Sequence, residues 1–416
     1  MGSPTSTTKQ YAIIACIGII VSILLGSRSF VIGFICSFFV LTVDDIKYSK
    51  YALRKRWSAA LLLIIFLLFI VFGIKSDSSL GRLFIYKISF HILKDHWLTG
   101  IGIGQYPIVY KNYQAAYFEA GTYTIKELLL SDNNRFAFND YFQFIIETGI
   151  IGIAILTFTF FHLYKLHLSS KQQYKGSNFL LASAYSTAIA ILIAAFFTHI
   201  FDRLPIIIVF IVNIAIQVFY AWQSESLKNV LRYSVYLICI VAGCLTLNLT
   251  QIKRIMNKHE LDELSLLTNI GYLREAEKGY KHLYPSMKKD PLYLFNYATL
   301  LANKSDYVSA SRLLEQALTF DNNSFNYTTL GDYYLNLHQN QKAEYCYKRA
   351  INTTPNRLLP RYQLFSYYLK TGNLVLAQKT GQEILNLPVK IPSSKVNDIR
   401  SNTQKQLSEI STTEKP

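Results

Sequence analysis

The chain has 416 residues, of which 51% are hydrophobic and 16% charged, and a formal net charge of +16. Apolar runs close to bilayer length exclude an ordinary soluble globular domain. The basic excess is not accompanied by a nucleic-acid-binding motif, so it does not imply that partner. Of five cysteines, Cys16, Cys36, Cys239 and Cys244 fall in apolar runs and Cys346 stands alone, which makes neither a disulfide framework nor a metal-ligand spacing.

In chain order, short apolar runs at about 11–26 and 29–43 read as a helical hairpin with Gly26, Ser27 and Arg28 at its tip. Each needs tilt or local thinning to span a bilayer. The first lacks a strongly basic leader and a small-residue cleavage pattern, so no cleaved signal is expected. Stronger spans follow at roughly 57–74, 147–166, 178–200, 204–222 and 231–250, giving about seven in all. Lys47, Lys50, Arg54, Lys55 and Arg56 mark one inner loop, Lys165, Lys171 and Lys175 a second, and Lys228 with Arg232 a third. By alternation the loop at 75–143, the turn at His199–Leu204 and everything beyond 250 lie outside, on the side of Arg28.

A loop this long between membrane helices is uncommon unless it is functional. It opens with GRLFIYKISFHILKDHWLTGIGIGQY, Gly81 to Tyr106, and closes with AFNDYFQFIIETGIIG, Ala137 to Gly152. His91, Asp95 and His96 suggest a metal, but helical residues five apart diverge around the axis, so none is expected. Gly100, Gly102 and Gly104 lack the third glycine of a dinucleotide site and read as a tight re-entry turn. Tyr106, Tyr110, Tyr113, Tyr117 and Phe118 give an aromatic surface suited to sugar rings or to the membrane interface. His199, Asp202 and Arg203 form a polar knot in the next outer turn, by default a capping turn that can line the same cavity.

Past Ile252 a period of about 34 residues appears. Tyr327, Leu330, Gly331, Tyr334, Ala343, Tyr347, Ala350 and Pro355 fall on tetratricopeptide signature positions. A unit with Leu294, Ala298, Leu301, Ala310, Leu314 and Ala317 precedes it, and one with Leu364, Tyr368, Ala377 and Ile384 follows. A degenerate half-unit near Ala276 and Tyr280 joins the stack to the membrane. The expectation is an all-α chain: a polytopic membrane domain at 1–252, a repeat domain at 253–390 and a disordered tail at 391–416. Such stacks dock proteins or extended ligands, and the alternative is that this one packs on the outer loop.

Together with Ser27-Arg28, the two loop elements resemble the O-antigen ligase and polymerase family of membrane glycosyltransferases, over about residues 20–165. The resemblance implies transfer of a glycan from an undecaprenyl diphosphate-linked donor to an acceptor hydroxyl, on lipid A core, a polysaccharide or a protein. It implies a multi-pass protein of the bacterial cytoplasmic (inner) membrane; with the charge-derived orientation the loop and repeat domain are expected to be periplasmic, and no cofactor or metal is expected. Arg28 matches the arginine of the Ser-Arg element and Arg82 the one opening the loop, and both would bind diphosphate through the guanidinium fork. The bland reading of each is snorkelling to headgroups. Relatives carry several more helices before the Ser-Arg element, so further helices or a partner subunit are expected to complete the cavity.

The chain departs from the family where a histidine precedes the asparagine of the second element: here stands Phe138, before Asn139 and Asp140. Asp140, with Asn139, is the candidate replacement base, and His91, His96 and Glu119 are the others. A helix start stabilises charged Asp140 and weakens it as a base, and capping is the plain role for both residues. Glu147 and Gly149 read as helix entry and close packing. Two other readings stand beside the enzyme: an inactive scaffold for surface-polysaccharide assembly acting through its repeats, and, more weakly, a transporter, whose buried charges and broken helices the spans lack.

Overall fold

The computed structural model describes residues 76–172, 179–222 and 249–413, together with 231–235, 238 and 241–243. Every regular element among them is a helix, in agreement with the all-α expectation. The spans expected at 11–26, 29–43 and 57–74, most of 231–250, and Arg28 lie outside the described residues.

The chain divides into two compact units. Helix α1 (Ser76–His96) contributes to both. The first unit also holds residues 95–103 and 136–248, with helices α4 (Asp140–Thr148), α5 (Ile150–Gln172), α6 (Phe179–Ala194) and α7 (Leu204–Trp222). Within α5 and α7, Ile150–Ser170 and Leu204–Trp222 are long and apolar enough to cross a membrane. At 1.5 Å per residue, about 20 residues match a hydrocarbon core of roughly 30 Å. The span expected at 147–166 is matched by Ile150–Ser170, its start shifted past Gly149, whose φ of 65° ends α4 before α5 begins. The span expected at 178–200 stops as a helix at Ala194, and residues 195–203 form a turn.

Small residues Ala188, Ala194 and Ala195 let α6 approach α7, where Phe210, Ile214 and Val218 complete the core. Ile151, Ile153, Phe158 and Phe161 of α5 stay exposed, an apolar surface of the kind lipid would cover.

The second unit holds residues 83–94, 104–135 and 249–416. Most of the loop at 75–143 therefore belongs with the C-terminal helices, not with the apolar ones. Its helices α2 (Tyr106–Glu119) and α3 (Ile125–Leu130) come from that loop. Then follow α8 (Leu249–Met256), α9 (Lys258–Asn269), α10 (Leu273–Met287), α11 (Pro291–Asn303), α12 (Tyr307–Leu318), α13 (Ser324–Asn336), α14 (Asn340–Thr353), α15 (Leu358–Lys370), α16 (Leu374–Asn386) and α17 (Ser394–Thr413).

Helices α11 with α12, α13 with α14 and α15 with α16 pack as consecutive pairs whose first members start at Pro291, Ser324 and Leu358, a step of 33 or 34 residues. Asp290, Asp306, Asn323 and Asn373 cap them by accepting backbone N–H groups. Ala298, Ala310, Ala343 and Ala350 are fully buried where paired helices meet, and a Cβ on Gly331 would come within 2.6 Å of the Tyr347 ring.

Two expectations about this region change. The half-unit near Ala276 and Tyr280 is a complete pair, α9 with α10, turned by Gly271 at φ 90°. The stretch read as a disordered tail contains helix α17. Ile399, Leu407 and Ile410 recur on one face and are buried, a stripe thin enough to be lost in a polar composition.

The aromatic surface expected on the loop is also revised. Tyr106, Tyr110 and Phe118 are buried, Phe118 in ring contact with Phe84 of α1 at 5.8 Å. Ser89 and Tyr106 share a buried hydrogen bond of 2.7 Å. On the other side, Lys111 forms a buried ion pair with Asp321. Asn322 Nδ2 donates to the Ile108 carbonyl at 3.0 Å, and Gln114 Nε2 donates to that of Thr353 at 2.6 Å. Asn356 Nδ2 reaches the Ser131 carbonyl at 2.6 Å, and Arg357 pairs with Asp132 at 3.0 Å. The loop is thus bonded to the turns between successive helix pairs, which is the packing alternative to docking.

Candidate functional site

The polar residues of the first unit converge where three segments meet: the start of α1, residues 136–140, and the 195–203 turn. Asn139 caps α4, its side chain accepting from the Phe142 N–H at 3.0 Å. Asp140 follows as the first helical residue. Its Oδ2 accepts the N–H groups of Ile200 at 2.8 Å and Phe201 at 3.1 Å, while its own N–H donates to the Ala195 carbonyl at 2.9 Å. One residue thereby holds both ends of the turn that links α6 to α7. Burial outweighs these two hydrogen bonds and pushes the Asp140 carboxyl up to about 6. The helix-start argument anticipated the opposite direction, since it counted the dipole and not the desolvation.

Arg82 donates through Nη1 to the Phe197 carbonyl at 2.8 Å, a group the turn leaves outside the helical ladder. Its guanidinium carbon lies 5.5 Å from the centre of the Phe138 ring. Phe138 has φ 54°, a conformation that costs a bulky side chain on the order of 1–3 kcal/mol. His199 stacks flat on Phe136, 4.0 Å centre to centre and 1° from parallel, and stands edge to face with Phe138 at 5.3 Å. Its Nδ1 is buried with no hydrogen-bond partner among the described residues. Burial, then the charges of Arg203 and Arg82, hold the imidazole below the usual histidine range.

The structure therefore brings together Arg82, Asn139 and Asp140 from the sequence candidates, and adds His199, first read as part of a capping turn. The signal for His199 was its place in a polar triplet between two apolar helices. His91 and Glu119 are exposed and belong to the other unit. His96 ends α1, where its carbonyl accepts the Gly100 N–H at 2.8 Å.

Below the cluster the re-entry turn meets the end of α4. Gly100, Gly102 and Gly104 all have positive φ, as a tight turn requires. Ile101 N–H donates to the Ile146 carbonyl at 3.1 Å and Gly102 N–H to that of Glu147 at 2.9 Å. Gly149 closes the contact from the other side, with Ile150 N–H donating to the Leu98 carbonyl at 3.3 Å.

Residues 12–157 match the O-antigen ligase family model. The matched segment contains Arg82 and residues 136–140 but ends before His199. It supports glycosyl transfer of the ligase or polymerase kind, with a lipid-linked glycan donor and a glycan acceptor, and relates this region to integral membrane proteins. No curated protein sequence matches the chain.

Proposed function

We propose that the chain moves a glycan from a polyprenyl diphosphate carrier to an acceptor hydroxyl at the outer face of the bacterial cytoplasmic membrane. The acceptor is a lipid A core, a growing polysaccharide or a protein side chain. The observation that carries this reading is the Arg82 cluster: a guanidinium anchored at 2.8 Å on Phe197, beside a buried carboxyl and an imidazole, with Arg82 and Asp140 inside the segment matching the ligase family. Arg82, joined by Arg28, grips the diphosphate and stabilises the charge that grows on it as the anomeric carbon–oxygen bond breaks. The acceptor oxygen forms the new bond at the anomeric carbon and gives its proton to a group in the cluster. Asn139 and Asp140, each engaged with the backbone, order that cluster. The helix pairs of the second unit are tetratricopeptide-like, lie on the same outer side and brace the loop.

The test is a strain lacking the gene, complemented with wild-type, Arg82→Ala or Arg28→Ala chain at matched membrane levels. Carrier-linked glycan that the wild type clears and both variants leave accumulated supports transfer. Equal clearance by both variants refutes the diphosphate grip and favours a scaffold acting through the repeats.

A further inference from the structure

We infer that His199, carried by the 195–203 turn onto Phe136 and Phe138, is the group that takes the acceptor hydroxyl's proton. The inference rests on the transfer reading and assigns its missing base.

Two polar side chains of the cluster already have structural work. Asn139 is spent on capping α4, and Asp140 Oδ2 is shared between two N–H groups of the turn. His199 forms no hydrogen bond among the described residues and has one buried ring nitrogen without a partner. A buried polar atom left unpaired calls for an explanation, and because Nδ1 is closed off from solvent, Nε2 is the ring nitrogen left able to accept a proton. Phe136 covers one face of the ring and Phe138 meets it at right angles, so the imidazole is held in one orientation. Such fixing is what a proton acceptor needs.

Charge supports the same assignment. Burial first, then the charges of Arg203 and Arg82, disfavours the imidazolium and favours the neutral ring that can accept a proton. The same Arg82 that would hold the diphosphate lies close enough to act on His199 electrostatically, which puts leaving group and base on one site. As the acceptor O–H attacks, its proton passes to the imidazole. The anomeric bond to the diphosphate breaks, and the electron pair leaves with the phosphate oxygen. Asp140 is then a positioning residue: by holding the Ile200 and Phe201 N–H groups it fixes the backbone next to His199.

Phe138 explains why the base comes from another segment. The family resemblance places a histidine at this position, and here a phenyl ring takes that space while the imidazole of His199 stands 5.3 Å away. The proton-accepting function has moved across the cluster from one segment to the other.

The experiment uses the same complemented strain, now with His199→Phe, which preserves a flat ring on Phe136, and with Phe138→His added to it. Wild type must clear the carrier-linked glycan. If it does not, the transfer reading itself has failed. Given clearance, His199→Phe is expected to slow it by about 100-fold or more, the range of a lost general base, and the added Phe138→His to recover a measurable part. His199→Phe clearing like the wild type overturns the inference. Loss without any recovery by the second-site histidine assigns His199 to packing and overturns it too.

Discussion

Gly100 and Gly149 press backbone against backbone. A Cβ on Gly100 would lie 2.4 Å from the Glu147 carbonyl oxygen, and one on Gly149 would lie 2.5 Å from that of Leu98. Neither obstacle is a side chain that can swing away, and both glycines have positive φ. Gly100→Ala and Gly149→Ala are each expected to abolish the folded, membrane-inserted form. Gly121→Ala, with φ 74° but open space around it, should cost only about 1–2 kcal/mol of backbone strain. Thermal melting of the purified full chain in detergent separates the two cases.

Asp140 should be replaceable by its amide but not by alanine. An asparagine oxygen can still accept the Ile200 and Phe201 N–H groups, so Asp140→Asn keeps the turn. Asp140→Ala leaves two donors unsatisfied at about 1–3 kcal/mol each. A melt of the two variants, read together with glycan clearance, is the check. An alanine variant as stable as the asparagine one would contradict the positioning role.

Lys111 and Asp321 should follow the asymmetry of buried ion pairs. The Lys111 side chain is 1% exposed, and burial pulls its ammonium below the usual lysine range. Asp321→Ala strands that charge and is expected to destabilise the second unit by about 3–5 kcal/mol. Lys111→Met with Asp321→Leu removes both charges and should be close to neutral. Denaturant melts of the single and double variants measure the difference.

The pH dependence of transfer follows from the sign of the His199 shift. Its folded value lies below the ordinary 6.5, so the reactive neutral form persists through neutral pH and activity falls only under more acidic conditions. Arg203→Gln removes one of the charges that depress it and should move the acidic limb upward. In the window between the folded value and 6.5 the unfolded chain binds a proton that the folded chain does not. The His199 contribution to stability is therefore present above 6.5 and is lost as pH falls. Asp140 acts oppositely: raised from 3.8 to about 6, it contributes most below 3.8, and that contribution fades as pH rises through 6. Rates in right-side-out vesicles across pH, with and without Arg203→Gln, check the first pair of statements.

Much of the helical order was legible because its signals are local. Leu204–Trp222 is apolar but for Asn213 and Gln217, and the spacing of small residues at Ala298, Ala310, Gly331 and Ala343 marks paired helices in the sequence itself. What was illegible depends on partners distant in the chain. Tyr106 and Tyr110 looked like a surface because the helix pairs bonded to α2 lie some two hundred residues further along the chain. Helix α17 was hidden by polar composition around a stripe of three apolar residues. In the site, Arg82 and residues 137–140 were legible by resemblance. The pairing of Phe138 with His199 was not, since no local pattern states that a turn some sixty residues on folds back over Asn139 and Asp140.

The bond between the 75–143 loop and the helix pairs has a consequence in time. Lys111 precedes Asp321 by 210 residues, so at 5–20 residues per second the ribosome needs roughly 10–40 s to supply its counter-ion. Through that interval α2 has been made, but the turns that complete its hydrogen bonds have not. The last-made part of the chain is thus what finishes an early part. A stop codon ahead of the helix pairs would leave the loop unfinished as well as tailless.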